Sequence, residues 1–153
     1  MNVVRKILTP TDFSDRSRRA IQFATDEAQL RGAELHLFHC VTSGMVGHPM
    51  DGTAIPIPED VIGDAQRGLM KFPENCEEST DPDRPGLKVV RTVEQGNAEL
   101  KIVEYAREHL IDLIVLGTHA RSGVERFLLG STAEAILRHA PCPVLIVPPP
   151  GNE

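Results

Sequence analysis

Three short segments hold the residues whose types and order suit chemistry. Thr9-Pro10-Thr11-Asp12-Phe13-Ser14 follows the apolar pair Ile7-Leu8, and Gly117-Thr118-His119-Ala120-Arg121-Ser122-Gly123 follows the run Leu113 to Leu116. The third, Gly130-Ser131-Thr132, opens the last helical stretch. A helix N-terminus offers N–H groups without intrahelical partners and the positive end of a dipole, which suits phosphate, and glycine lets a backbone approach a ligand closely. The chemistry these segments fit is therefore anion binding. Catalysis has less support: the chain has no G-x-x-x-x-G-K-[ST] loop, no evident pair of catalytic carboxylates and no G-x-S-x-G elbow. No catalytic residue is assigned, and an arginine with a metal would sustain slow phosphoryl hydrolysis at most.

The elements that must position these segments are read from the hydrophobic pattern. Ile7-Leu8, Leu35 to Cys40, Leu113 to Leu116 and Val144 to Val147 are short apolar runs, and Leu87 to Val93 is a weaker alternating one. Between most of them lies helical spacing: residues 14–31 put Ser17, Ile21, Ala24 and Ala28 on one stripe, and residues 97–110 do the same with Ile102, Ala106 and Leu110. Runs apolar at every position read as parallel strands covered on both faces, so the expected class is α/β with a parallel sheet. Ligands of such sheets bind beyond the carboxyl ends of the strands where the winding reverses, and the three segments fall at strand ends. Ser14 and Asn97 are good N-caps, Gly32 is a good stop, and Ser131 with Glu134 forms a capping box that starts the last helix near residue 132. Residues 42–86 hold six of the twelve glycines and six of the twelve prolines. They read as a long loop over 42–58, a helix over 59–72 interrupted by Gly63 and Gly68, and an irregular link over 73–86.

The 153 residues, 41% apolar and 25% charged, suit one domain over 1–153 with a tail at 148–153, and the absence of Trp makes its core aliphatic. No apolar run nears the roughly 18 residues of a membrane span, and the start of the chain turns polar too early for a secretory signal, so a cytoplasmic protein with no membrane partner is expected. A net charge of −6 argues against general nucleic-acid binding. Cys40, Cys76 and Cys142 are odd in number and suit reduced thiols, with Cys76, in the irregular link, the candidate for reactivity. His36 and His39 are three apart on a strand and face opposite ways, so the protein alone makes no metal site. Arg16, Arg18 and Arg19 read as a solvated face. The last strand, Val144-Leu145-Ile146-Val147, is fenced by prolines and suggests a wholly apolar sheet edge. Pairing with a symmetry mate in a homodimer would close that edge; cover by the chain's own loops is the alternative.

Ile7 to Ser14, the glycine-bearing turn before Asn97, and GTHARSGVERFLLGSTAEAILRHAPCPVLIV together resemble the universal stress protein family over essentially the whole chain. The family's motif of glycine, two residues, glycine, nine residues, then glycine with Ser or Thr is matched by Gly117, Gly130 and Ser131, whereas Ala120 stands in place of the second glycine. The resemblance implies an open, Rossmann-like five-stranded sheet of order 3-2-1-4-5 with helices on both faces, dimeric through the last strand. It also implies an adenine-nucleotide site for ATP, ADP or AMP between the first and fourth strands. By position, Asp12 would lie near ribose and phosphates, with Mg²⁺ arriving on the nucleotide and Asp12 as its outer ligand. The Cys40 backbone would read the adenine edge, Pro10 and Thr11 would shape the adenosine wall, and Gly117, Gly130, Ser131 and Thr132 would cradle phosphates, helped by Arg121. The expected function is a sensor or adaptor for an unidentified protein partner in stress response. A nucleotide-independent interaction protein and a slow ATPase are the alternatives, and Ala120 is the residue on which the first of them turns.

Overall fold

In the computed structural model the described residues are 3–42, 57–83, 86–118 and 129–148. Strands and helices alternate: β1 (Lys6–Pro10), α1 (Asp15–Arg31), β2 (Glu34–Val41), α2 (Glu59–Leu69), β3 (Val89–Gln95), α3 (Ala98–Glu108), β4 (Leu113–Gly117), α4 (Ser131–His139) and β5 (Val144–Val147). The five strands form one sheet in the order β3-β2-β1-β4-β5, and every adjacent pair is parallel. The chain thus winds outward from β1 to β3, crosses back, and continues on the other side of β1. Crossovers of one hand place helices on opposite faces when the direction of winding reverses.

Strand alternation divides the core accordingly. Ile7, Leu35, Leu37 and Val115 pack with Ala20, Ile21, Ala24 and Ala28 of α1 and with Leu69 of α2. Leu8, Phe38, Ile114 and Leu116 pack on the other face with Ile102 and Ala106 of α3 and Ile136 of α4. The alanines of α1 let that helix lie close over the sheet, and its ends are fixed by the residues the sequence marks. Ser14 Oγ accepts from the Ser17 N–H, and Gly32 closes the helix at φ +63, a left-handed conformation that suits glycine. Asn97 likewise accepts from the Leu100 N–H at the start of α3.

His36 and His39 do face opposite sides. His36 is 2% exposed on the α3 face, with Nδ1 2.8 Å from the Tyr105 hydroxyl. Its Nε2 lies 2.8 Å from Glu34 Oε1, an approach outside aligned hydrogen-bond geometry. Burial pushes the His36 imidazole below its ordinary pKa, and the Glu34 carboxylate opposes this in part.

Four local expectations need correction. Leu110 does not continue the α3 stripe: it lies beyond the helix at φ +53 and is 77% exposed. Gly63 and Gly68 do not interrupt α2, which runs unbroken from Glu59 and ends at Leu69 rather than 72. Ser131 is the first residue of α4 and Gly130 is its N-cap, with no side-chain capping bond, so the Ser131–Glu134 box does not form. Cys76 is poorly suited to reactivity, because burial and the nearby Glu78, Glu77 and Asp26 carboxylates push its thiol pKa up against the opposing Gln29 hydrogen bond. Most of the 42–58 loop and of the 148–153 tail lies outside the described residues.

Candidate functional site

The sheet order reverses between β1 and β4, and a cleft of about 580 Å³ opens there at the carboxyl ends of the strands. Pro10, Thr11 and Asp12 line it from the end of β1, Cys40 from β2, Gly117 from β4 and Thr132 from α4. Gly130 and Ser131 lead directly into Thr132 at the start of α4. Ala120 and Arg121, with His119, lie outside the described residues.

Strand register explains why Cys40 borders the cleft. β1 pairs with β2 only as far as Pro10 opposite Phe38, whereas β2 continues along β3 to Val41 opposite Gln95. The last three residues of β2 therefore outrun β1. Phe38 turns its carbonyl toward the β1 side, where it accepts from the Thr11 N–H, and Val41 turns its carbonyl to β3, where it accepts from Gly96. Parallel-strand alternation then points the main-chain N–H and C=O of Cys40 past the end of β1 into the cleft. The Cys40 thiol donates instead to the Gly96 carbonyl at 3.5 Å. Burial, with the Glu94 carboxylate, pushes its pKa up and keeps it a neutral filler.

Main-chain closeness also explains Gly117. A Cβ on this residue would stand 2.8 Å from the Arg16 carbonyl oxygen, so β4 and the first turn of α1 touch backbone to backbone. Thr118, the next residue, is 4% exposed, and among the described residues its Oγ1 has no hydrogen-bond partner.

The turn from β1 into α1 is held by its own polar groups. The Phe13 N–H donates to Thr11 Oγ1 at 3.0 Å, and the Ser14 N–H donates to Asp12 Oδ1 at 2.9 Å. Ser17 Oγ donates to the Ser14 carbonyl, so the Thr11 hydroxyl must be the donor in its 2.8 Å contact with Ser17 Oγ. Phe13 occupies φ +64, a conformation that costs a residue bearing a Cβ about 1–2 kcal/mol. Asp12 is exposed at the rim, and the capping bond it makes accounts for part of its placement.

Other residues enter the cleft beyond those the resemblance assigned to it. Ile102 and Ile136 supply apolar wall from α3 and α4, Val61 from α2, and His39 and Thr118 from the strand ends. Arg16 also lines it, whereas Arg18 turns to Glu74 and the Phe72 ring. The arrangement is an apolar slot with main-chain donors and acceptors at its edges and a helix N-terminus at one end. Among the described residues no cluster of three His, Cys, Asp or Glu is placed to hold a metal, and no helix is long and apolar enough to cross a membrane.

Comparison with known proteins agrees with this architecture. The family model described as the universal stress protein family matches residues 4–148. Universal stress protein MJ0531 of Methanocaldococcus jannaschii is 37% identical over 153 residues, 99% of this chain and 86% of the relative. Universal stress protein YxiE of Bacillus subtilis is 28% identical, covering 93% of this chain and 97% of the relative. Among solved structures, hypothetical protein MJ0577 superposes with a TM-score of 0.76 at 22% identity, covering 99% of this chain and all of the other. A universal stress protein in complex with cAMP gives 0.61 at 20% identity, over 95% and 98% of the two chains. The Archaeoglobus fulgidus protein in complex with dAMP gives 0.56 at 22%, over the same shares. Over nearly its whole length, this chain belongs to the universal stress protein family.

Proposed function

We propose that this chain binds an adenine nucleotide in the cleft between β1 and β4 and acts as a cytoplasmic, dimeric sensor or adaptor in stress response. The observation that carries the reading is the projection of the Cys40 main chain beyond the end of β1, which offers a donor and an acceptor to the edge of a base. The cleft volume lies within the roughly 300–1,000 Å³ of small-molecule sites. Its aliphatic walls suit a base held without aromatic stacking. Pro10 and Thr11 would flank the adenosine, and Asp12 would approach ribose and phosphates. Gly117, Gly130, Ser131 and Thr132 would receive the phosphates at the start of α4, with Arg121 adding positive charge. Mg²⁺ would arrive on ATP or ADP, with Asp12 as an outer ligand. The solved relatives in complex with cAMP and dAMP support an adenine ligand.

Calorimetric titration with ATP, ADP and AMP, with and without Mg²⁺, tests the reading. Saturable heat is expected, and no heat at millimolar nucleotide would sink it. Ala120 favours a second reading, a nucleotide-independent interaction protein, because it replaces a glycine of the motif. A silent parent together with binding by Ala120→Gly would establish that second reading. Slow ATP hydrolysis, a third reading, requires turnover that disappears in Asp12→Ala.

The homodimer would form through β5, which among the described residues pairs with β4 alone and leaves Val144, Leu145 and Ile146 partly exposed. Sedimentation should give twice the chain mass, and Ile146→Lys should halve it.

A further inference from the structure

We propose that His39 is the positioning residue of this cleft: from β2 it holds the turn between β1 and α1 in the conformation that sets Asp12 at the rim. Its consequence for affinity rests on the nucleotide reading above; its consequence for the turn does not. The polar groups of Thr11 are all engaged. Its N–H donates to the Phe38 carbonyl at 2.8 Å, and its hydroxyl donates to Ser17 Oγ and accepts from the Phe13 N–H. Its carbonyl lies 2.7 Å from His39 Nδ1. A carbonyl only accepts, so the hydrogen is on Nδ1, and this contact selects that imidazole tautomer.

That carbonyl belongs to the peptide plane shared with the Asp12 N–H, so fixing one orients the other. The same imidazole lies against the Phe13 ring, with centroids 4.5 Å apart. One side chain therefore grips the residues on both sides of Asp12. Phe13 is at φ +64, and such a conformation persists where its surroundings over-determine it. α2 also packs against the same ring, since a Cβ on Gly68 would stand 2.9 Å from Phe13 Cε1. His39 reaches this turn because β2 outruns β1, the register that also bares the Cys40 main chain.

The test compares the full chain with His39→Leu, which keeps bulk and removes the donor, and His39→Asn, whose amide donates from nearly the place of Nδ1. In ligand-free protein, amide exchange at Phe13 and Ser14 should accelerate about tenfold in His39→Leu, with the amides of β1 and β4 unchanged, and should return toward the parent rate in His39→Asn. Affinity for AMP should fall about five- to tenfold in the leucine variant and recover in the asparagine variant. Parent-like exchange at Phe13 and Ser14 in His39→Leu would overturn the assignment. So would acceleration spread evenly over the core, or failure of His39→Asn to restore protection. A parent chain that binds no AMP would instead overturn the ligand reading, and the exchange rates would still decide the role of His39.

Discussion

Two helices bring their N-termini to the same cleft and are dressed differently. At α1 the chain answers its own N–H groups: Ser14 Oγ accepts from Ser17, and Asp12 Oδ1 accepts from Ser14. At α4 the N-cap is Gly130, in extended conformation, with no side-chain bond to the helix. Both ends carry the same free donors and the same positive dipole end before any cap is added. What differs is who satisfies them. The α1 end spends its hydrogen-bonding capacity on holding a shape, whereas among the described residues no side chain caps the α4 end. The α2 start, which also borders the cleft through Pro58, lacks a side-chain cap too, but Glu59 and Asp60 in its first turn already answer the dipole and discourage an anion.

Gly117→Ala attacks the frame that both ends share. Its Cβ would meet the backbone of Arg16, which cannot swing aside as a side chain would, so stability should fall by about 1–3 kcal/mol in chemical denaturation. An unchanged midpoint would mean that the two elements part easily. Gly130→Asp makes the two ends alike. It should raise stability by about a few tenths of a kcal/mol while lowering AMP affinity about tenfold or more, since its carboxylate would occupy the donors a phosphate needs. Equal affinity in this variant would remove α4 from the site. Ser14→Ala should cost about 1 kcal/mol of stability and leave AMP affinity at the parent value. A matching drop in affinity would show that the α1 end serves the ligand directly, and the contrast between the helices would collapse.

The fold was legible in the sequence because its signals are local. Four apolar runs and one weaker alternating stretch mark the five strands, and Ser14, Gly32 and Asn97 mark helix ends by chemistry that acts within a few residues. The α4 cap was less legible, since Gly130 and Ser131 are both acceptable caps and the choice depends on how the chain enters the helix. Leu110 misled because an apolar residue at helical spacing carries no mark of a helix that has already ended. The cleft was legible where Asp12 and Gly117 mark it, and Gly130 stands at the N-cap of α4, two residues before Thr132 lines it. Its walls were not. Ile102 and Ile136 look like any core residue, and only the relative reach of helices and strands brings them to the cleft. The orientation of the Cys40 main chain depends on the three residues by which β2 outruns β1, a property of register that no local pattern encodes. His39 did leave a trace, as one of two histidines, with His36, inside the apolar run from Leu35 to Cys40.

The contact at Gly117 has a consequence for how such a cleft can change over time. Where a strand and a helix meet through side chains, substitutions on either one alter their spacing. Here the spacing is a backbone radius against a backbone radius, so where β4 meets the first turn of α1 beside the slot the gauge is set by atoms that every amino acid shares. Residues such as Ile102, Ile136 and Val61 are then free to drift, reshaping the upholstery for one guest or another while the chair keeps its dimensions.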